Sequence, residues 1–237
     1  MKCVKGDVAE RVVVFGDPCR TKASASLLER SRLVSKERCL LTYTGEYMGT
    51  KLTLSTTGMG TPSAAIVCEE LAALGARCII RSGTMGSISS VAAGDAVVPT
   101  EAIPLDGTAR AYMEKFRLNS MPSASRRIAE MLRSTALSKG VRTHVGPICT
   151  SDVFYLEGGI ETAHWQEKGV LGFEMECSAI FAIGAARGYE GGAILAVTGS
   201  VSGEERVLGG SEVKNAIERC TLSALETATS VELPQIK

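Results

Sequence analysis

Residues 11–20 of the chain read RVVVFGDPCR. The segment opens with the apolar, β-branched run Arg11–Phe15 and ends in the turn residues GDP. A short apolar run followed by turn residues predicts a buried strand that enters a loop. Gly16 would let the backbone approach an anion closely, and Arg20 could bind that anion through two N–H groups. The same residues also suit an ordinary strand-to-helix turn, so this segment alone leaves both interpretations open.

Short apolar runs of this kind alternate with segments of helical periodicity along the chain. We predict further strands at 39–43, 51–57, 78–80, 95–98, 145–149 and 193–197, with a hairpin joining the first two. We predict a helix that begins at Pro62 with Thr61 as its N-cap, and helices at 126–139, 160–168, 178–187 and 211–229. Such alternation predicts an α/β fold: a single domain over residues 1–237 with a central mixed, mainly parallel β-sheet flanked by helices.

The composition narrows the class of partner. Lysine plus arginine equal aspartate plus glutamate at 26 each, so no net positive field attracts nucleic acid or a membrane surface. No apolar run approaches the roughly 20 residues that span a bilayer, and the start MKCVKGDVAER is too polar for a signal peptide. We therefore expect a cytoplasmic protein with a small-molecule partner.

Eight cysteines and two histidines raise the question of a metal site or a disulfide. The sequence has no CxxC pair, and His144 and His164 lie far apart, whereas a zinc site needs about four clustered ligands. We expect no metal, cysteines that are mostly small core residues, and histidines that are structural or on the surface. Cys3 and Cys220 remain candidates for a disulfide, although intracellular disulfides are rare.

Two more segments place charged residues where a buried strand is predicted to end, the position at which α/β sheets bind ligands. In RSGTMG, Arg81 costs desolvation energy unless it meets an anion, and Thr84 adds a hydroxyl donor. An internal salt bridge is the alternative. In GFEMEC, Glu174 and Glu176 would project to one face of an extended segment and need partners such as sugar hydroxyls or arginines. The alternative there is one structural and one exposed glutamate.

Seven segments together resemble the trimeric and hexameric nucleoside phosphorylases, in order and in spacing: GDPCR, TYTGEYMG, TTGMGTPSAAIVCEELAALGA, IIRSGTMGS, IPLDGTARAY, TSDVFY and FEMEC. The resemblance runs from about residue 6 to the end of the chain. That family includes purine nucleoside, methylthioadenosine and uridine phosphorylases. The resemblance implies an enzyme that uses inorganic phosphate, and no cofactor, to split a nucleoside into a free base and ribose 1-phosphate.

The resemblance also implies a role for ten residues, with Arg81 and Glu176 as the catalytic pair. The residues that would bind phosphate are Gly16, Arg20, Arg81 and Thr84, together with Arg38 reaching in from a neighbouring subunit. The residues that would bind the nucleoside are Met175 and Glu176 at the ribose, and Phe154, Thr198 and Gly199 at the base. The family's assembly implies a homo-oligomer of dimers, usually three to a hexamer.

One departure from the family's pattern bears on the base. Many purine-specific members carry a Ser-Asp pair whose aspartate protonates N7 of the leaving purine, and Thr198 and Gly199 stand there in this chain. The loss argues against adenosine and methylthioadenosine and favours a 6-oxopurine, which delocalises charge onto O6; Glu204 and Glu205 are candidate replacements. Uridine phosphorylases read uracil with a Gln-x-Arg element after the FY of SDVFY, and residues 156–160 contain neither residue.

A second departure concerns the 5′ end of the nucleoside. Family members place a histidine near the N-terminus, where it contacts the 5′-hydroxyl in the adjacent subunit, and alignment on GDVAERV puts that position before Met1.

The leading hypothesis is a phosphorylase for inosine or guanosine, with uridine phosphorylase as the alternative. A nucleosidase that uses water and a non-catalytic nucleoside-binding homologue are the remaining hypotheses.

Overall fold

Strands and helices alternate through the residues that the computed structural model describes, which are 1–88, 90–155, 162–201 and 210–233. Their strands are β1 Arg11–Phe15, β2 Glu29–Ser35, β3 Thr42–Tyr47, β4 Thr50–Thr56, β5 Cys78–Ser87, β6 Ala96–Pro104, β7 Thr143–Thr150, β8 Gly172–Glu174 and β9 Glu190–Ser200. Their helices are α1 Pro18–Ala25, α2 Thr61–Ala73, α3 Gly107–Phe116, α4 Arg126–Ser138, α5 Thr162–Glu167, α6 Cys177–Arg187 and α7 Ser211–Ser230.

Strand β5 organises the sheet because it pairs with three neighbours. It runs parallel to β1 and β9 and antiparallel to β8. The strands β5, β8, β7, β6 and β9 close into a ring, and β1, β4, β3 and β2 extend the sheet from β5. Five pairings are parallel, namely β1–β4, β1–β5, β5–β9, β6–β7 and β7–β8. The predicted α/β fold with a mixed, mainly parallel sheet flanked by helices is confirmed.

Helices cover both faces of this sheet, and β1 is buried on both sides as a result. Val12 and Val14 pack into the apolar cluster that α2 and α6 complete. Val13 and Phe15 point the other way, into the cluster that α4 and α7 complete. Side chains alternate between the faces of a strand, so a strand covered on both faces reads as an unbroken apolar run.

The predicted elements are present, and most of their bounds agree within two residues. The helix predicted at 126–139 is Arg126–Ser138, and the strand predicted at 145–149 is Thr143–Thr150. The helix predicted at 160–168 lies partly outside the described residues, and its described part is Thr162–Glu167. The sequence prediction missed α1, β2, α3 and β8, which are short or lack a strong period.

Two predicted loops are in fact strand. The segment RSGTMG continues β5 as far as Ser87 because β9 pairs with β5 along its whole length. The segment TGEYMG belongs largely to β3, and the hairpin turns only at Met48 and Gly49, both with positive φ. The strand predicted at 39–43 begins later, because Glu37–Cys39 forms a 3₁₀ turn. The segments RSGTMG and TGEYMG are strand because each pairs with a neighbouring strand, and a local sequence pattern does not show such pairing.

Five of the eight cysteines are buried, in agreement with the prediction that most are core residues: Cys68, Cys78, Cys149, Cys177 and Cys220. Burial raises the pKa of the Cys68 and Cys78 thiols to about 12, so both stay protonated at neutral pH. Cys3 and Cys220 are each free thiols. Within the described ranges, no helix combines the length and the apolarity that crossing a bilayer requires.

Gly172, where β8 meets β5, leaves no room for a side chain. A Cβ at this position would overlap the carbonyl oxygen of Gly86. Gly172→Ala should therefore lower the free energy of unfolding by about 1–3 kcal/mol, measured by urea denaturation. Gly107→Ala is the matched control, since a Cβ there meets nothing within 4 Å. Equal stability of the two variants would contradict this packing.

Candidate active site

A cavity of about 610 Å³ opens where β1, β5, β8 and β9 bring their predicted site residues together. Nine of the ten residues predicted for the site line it: Gly16, Arg20, Arg81, Thr84, Phe154, Met175, Glu176, Thr198 and Gly199. Arg38 is not among the lining residues and lies exposed in the turn Glu37–Cys39. Its predicted role concerns a neighbouring subunit and stays a prediction.

Arg81 lies at the floor of this cavity, held between two carboxylates. Its side chain is 4% exposed, and its Nε is 3.2 Å from Oε2 of Glu174, in the geometry of an ion pair. Its Nη2 forms a second ion pair with Oε2 of Glu176. Burial alone would lower the pKa of Arg81, but the carboxylates of Glu176 and Glu174 raise it. Arg81 is therefore a permanently charged group with a fixed orientation.

Glu174 and Glu176 have different surroundings although both converge on Arg81. Glu174 accepts hydrogen bonds from Oγ1 of Thr150 at 2.5 Å and from the backbone N–H groups of Glu176 and Cys177 at 2.9 and 3.0 Å. It thereby caps the first turn of α6, whose N–H groups lack helical partners. Glu176 accepts one hydrogen bond of 2.7 Å, from the backbone N–H of Gly60. The alternative of one exposed glutamate is wrong, since both are buried.

Arg20 brings a second guanidinium to the same cavity. Asp17 caps α1 by accepting a hydrogen bond of 2.7 Å from the N–H of Cys19, which places Arg20 in the first turn of the helix. Burial, and then the charge of Arg81, lower the pKa of Arg20. The strand-to-helix turn and the anion-binding interpretation of GDPCR are therefore compatible, because the turn itself aims Arg20 into the cavity.

Each of the two arginines has a buried nitrogen that an anion would stabilise. Within the described part of the chain, Nη1 of Arg20 and Nη1 of Arg81 are both buried without a hydrogen-bond partner. Buried donors on charged groups are costly to leave unpaired. A Cβ at Gly16 would lie 3.9 Å from Nη1 of Arg81, so the absence of a side chain at Gly16 keeps space open beside that nitrogen. Among the described residues, both donors therefore lack an acceptor of the kind that an oxyanion supplies.

Burial raises the pKa of Glu176, against the opposing attraction of Arg81. The neighbouring charge of Glu174 acts in the same direction as burial. The ionised form of Glu176 is thus less favourable in the folded protein than in water. Hydroxyl groups of a ligand would stabilise that form by donating hydrogen bonds to it.

The end of the cavity opposite Arg81 is mostly uncharged. Thr198 donates a hydrogen bond of 3.2 Å from its hydroxyl to the carbonyl of Met85, and Gly199 lies opposite Gly86 across the sheet. Phe154 is 56% exposed at the rim. Among the described lining residues, the carboxylates are Asp17, Glu174 and Glu176. Residues 156–160, Glu204 and Glu205 lie outside the described residues.

The two histidines lie elsewhere. His144 places its Nε2 2.8 Å from the carboxylate of Asp95, on the strand β7 side of the ring. His164 is exposed and forms a T-shaped ring contact with Trp165. Neither is among the described lining residues, in agreement with the structural or surface role predicted for them.

Sequence reasoning gave no role to the glycine-rich turn before α2. Gly58 and Gly60 both have positive φ, and the turn presents the N–H of Gly60 to Glu176. Gly58 and Met59 also line the cavity. The signal was present in TTGMGTP, where two glycines precede a helix start, but a backbone donor leaves no side-chain pattern that identifies its partner.

Comparisons with known proteins give the relatives of this chain. Residues 10–230 match the family model described as the phosphorylase superfamily. The chain is 33% identical to a guanosine phosphorylase of Halorubrum lacusprofundi, over 96% of both chains. It is 34% identical to a DeoD-type purine nucleoside phosphorylase of Caldanaerobacter subterraneus, over 84% of this chain and 87% of that protein.

Uridine phosphorylases are similar as well. The chain is 33% identical to one from Thermococcus kodakarensis, over 82% of this chain and 74% of the relative. The solved structure of uridine phosphorylase from Vibrio fischeri ES114 matches with a TM-score of 0.86 at 28% identity, over 95% of this chain and 94% of that one. These relatives are thus named for different nucleosides: guanosine, purine nucleosides and uridine.

The anion site can be tested by titrating the protein with inorganic phosphate. Arg20→Ala should weaken phosphate binding at least about tenfold in isothermal titration calorimetry, because a charged hydrogen bond in a buried site is lost. Arg126→Ala should bind as the wild type does, since the Arg126 side chain is 91% exposed and pairs with Glu130 on the surface of α4. Equal affinities for the two variants would refute the site.

The raised pKa of Glu176 predicts a pH-dependent stability difference. A raised pKa means that the folded protein binds this proton more tightly than the unfolded chain does, so stability is lost as the pH rises above about 4.3. The Tm of Glu176→Gln minus that of the wild type should be smallest near about pH 4 and grow toward neutral pH. Glu130→Gln, at a side chain 65% exposed, is the control. A Tm difference for Glu176→Gln that shrinks with rising pH would contradict the assignment.

Proposed function

We propose that this chain, which belongs to the phosphorylase superfamily, is a nucleoside phosphorylase. Its proposed substrates are the 6-oxopurine nucleosides inosine and guanosine. The reaction uses inorganic phosphate to produce a free base and ribose 1-phosphate. We place it in purine salvage in the cytoplasm. The observation that carries the proposal is a pair of buried guanidinium nitrogens, Nη1 of Arg20 and Nη1 of Arg81, that find no hydrogen-bond partner in the described ranges; Arg81 also pairs with the carboxylate of Glu176.

Phosphate fits the anion requirement of this site. A dianion between Arg20 and Arg81 would meet both free donors and offset the repulsion between two neighbouring cations. Thr84, with its hydroxyl, and Gly16, which leaves open space beside Arg81, line the same cavity. A nucleosidase that uses water would have no need of two buried arginines, so phosphorolysis accounts for the site better than hydrolysis.

In this proposal Glu176 binds the ribose. The N–H of Gly60 fixes one of its oxygens, and Arg81 contacts the other. Ribose 2′ and 3′ hydroxyls would donate to this carboxylate, with Met175 packing alongside. As the glycosidic bond breaks, C1′ gains positive charge, and the phosphate dianion is both nucleophile and counter-charge. Holding it in line with C1′ supplies positioning and electrostatic stabilisation.

The choice of a 6-oxopurine follows from the base end of the cavity. Thr198 and Gly199 supply no acid at the position where many purine-specific members carry an aspartate, and the Thr198 hydroxyl already donates to a backbone carbonyl. A 6-oxopurine needs such an acid least because O6 takes up charge as the base leaves. Phe154 would pack against the base. The similarity to a guanosine phosphorylase across 96% of both chains supports this choice.

We also propose a homo-oligomer, a hexamer built as a trimer of dimers, in which Arg38 completes a neighbour's phosphate site. Arg38 is exposed away from its own cavity, in a turn where both Arg38 and Cys39 have positive φ. Two consecutive non-glycine residues in the left-handed region are costly and cluster at functional sites. Binding phosphate across a subunit boundary would account for that conformation.

Uridine phosphorylase is the second candidate. The relatives from Thermococcus kodakarensis and Vibrio fischeri favour it. Residues 156–160 read LEGGI, which lacks the glutamine and arginine that the uracil-reading element would need. The purine assignment therefore ranks first.

A substrate panel tests both candidates. Inosine, guanosine, adenosine, methylthioadenosine and uridine are each assayed for base release with and without phosphate. We expect release from inosine and guanosine at a kcat/KM at least about tenfold above the other three, and none without phosphate. Faster turnover of uridine would favour the second candidate. Undiminished activity without phosphate would indicate a nucleosidase, and binding without turnover would indicate a non-catalytic homologue.

A further inference from the structure

We propose that Asp106, Ser178 and Thr150 form a positioning relay that acts through Glu174 to hold Arg81 in place for phosphate. The inference rests on the proposed function, because it assigns the relay to phosphate binding at that same site. Asp106 lies in the segment IPLDGTARAY and Thr150 in the segment TSDVFY. Neither residue has a role in the reaction described above.

Hydrogen bonds link Asp106 to Glu174 through Ser178 and Thr150, and an ion pair links Glu174 to Arg81. The hydroxyl of Ser178 donates to Oδ2 of Asp106 at 2.6 Å. The backbone N–H of Ser178 donates to Oγ1 of Thr150 at 3.0 Å, and that hydroxyl donates to Oε1 of Glu174 at 2.5 Å. The other oxygen of Glu174, Oε2, is 3.2 Å from Nε of Arg81.

Every member of the relay is shielded from water. Asp106 is 1% exposed, and Ser178 and Thr150 are fully buried. Hydrogen bonds are stronger in such surroundings, and an unpaired member is more costly, so a satisfied buried network fixes the geometry of its groups. Three parts of the fold are tied together in this way: the N-cap of α3, the first turn of α6 and the end of β7.

Glu174 is a positioning residue rather than a ligand for the sugar. Its side chain has no exposed area. Thr150, two backbone N–H groups and Arg81 already occupy its oxygens. Glu176, in contrast, has one backbone donor besides Arg81. The two carboxylates of the segment GFEMEC therefore have different roles. Glu174 orients the phosphate-binding guanidinium, and Glu176 faces the nucleoside.

This division predicts a selective kinetic effect. Removing the hydroxyl of Thr150 takes one of the hydrogen bonds from Oε1 of Glu174 and leaves the backbone N–H of Cys177 as the described donor to that oxygen. The carboxylate, and with it Arg81, is then held less firmly. Glu176 keeps its hydrogen bond from Gly60. Loss of positioning should therefore raise the KM for phosphate and leave the KM for the nucleoside nearly unchanged.

The experiment compares Thr150→Val with Thr227→Val in the full-length protein. Thr227 is equally buried and lies in α7, away from the cavity. We expect Thr150→Val to raise the KM for phosphate, and the Kd for phosphate from calorimetry, about tenfold, with the nucleoside KM within about twofold. Thr227→Val should leave both constants unchanged. Thr150→Ser restores the hydroxyl and should return the phosphate constants to within about twofold of the wild type.

Ser178→Ala, with Ser223→Ala as its buried control in α7, tests the far end of the relay. It should raise the phosphate KM about threefold, less than Thr150→Val, because the backbone donor of Ser178 to Thr150 remains. Comparing Ser178→Ala with Ser223→Ala also tests the relay if Thr150→Val does not fold.

Three results would overturn the relay: Thr150→Val matching Thr227→Val, Thr150→Val raising both KM values equally, or Ser178→Ala matching Ser223→Ala. A wild type that releases no base from any nucleoside would instead refute the proposed function. Phosphate calorimetry on the same variants would then still test the relay.

Discussion

The site depends on one buried cation, Arg81, held by Glu174 and Glu176 at the meeting point of β5, β8 and α6. A buried charge is tolerated only where partners meet it with good geometry. Here each partner is itself fixed by the backbone, Glu174 by the first turn of α6 and Glu176 by the N–H of Gly60. The guanidinium is consequently oriented before any ligand arrives, which reduces the cost of organising the site on binding.

In the same arrangement, the described residues leave donors of the two buried arginines without an acceptor. Arg20 adds a second cation whose pKa is lowered by burial and by Arg81, and Nη1 of each guanidinium lacks a hydrogen-bond partner among the described residues. Burial makes the ionised form of Glu176 less favourable at the same time. An anion with a neighbouring polyhydroxyl group would relieve both conditions. Phosphate and ribose are such a pair, and the family to which the chain belongs supports that interpretation.

Sequence patterns were most informative where local chemistry decides the structure. The run Arg11–Phe15 predicts a buried strand because its four consecutive apolar residues, 12–15, suit both faces of a covered sheet. Arg20 and Arg81 could be singled out because charged groups beside such strands need partners. Prediction failed where partners are distant in sequence. The strand state of RSGTMG depends on pairing with β9, and the N–H of Gly60 reaches Glu176 across 116 positions. A role for Arg38 depends on a second subunit.

The most direct test of the account is a crystal structure of the protein grown with inorganic phosphate. The account predicts one phosphate bound within hydrogen-bond distance of Nη1 of Arg20 and Nη1 of Arg81, next to Thr84, with Glu174 still contacting Arg81. A phosphate bound elsewhere, or an Arg81 turned away from the cavity with its carboxylate partners, would contradict it.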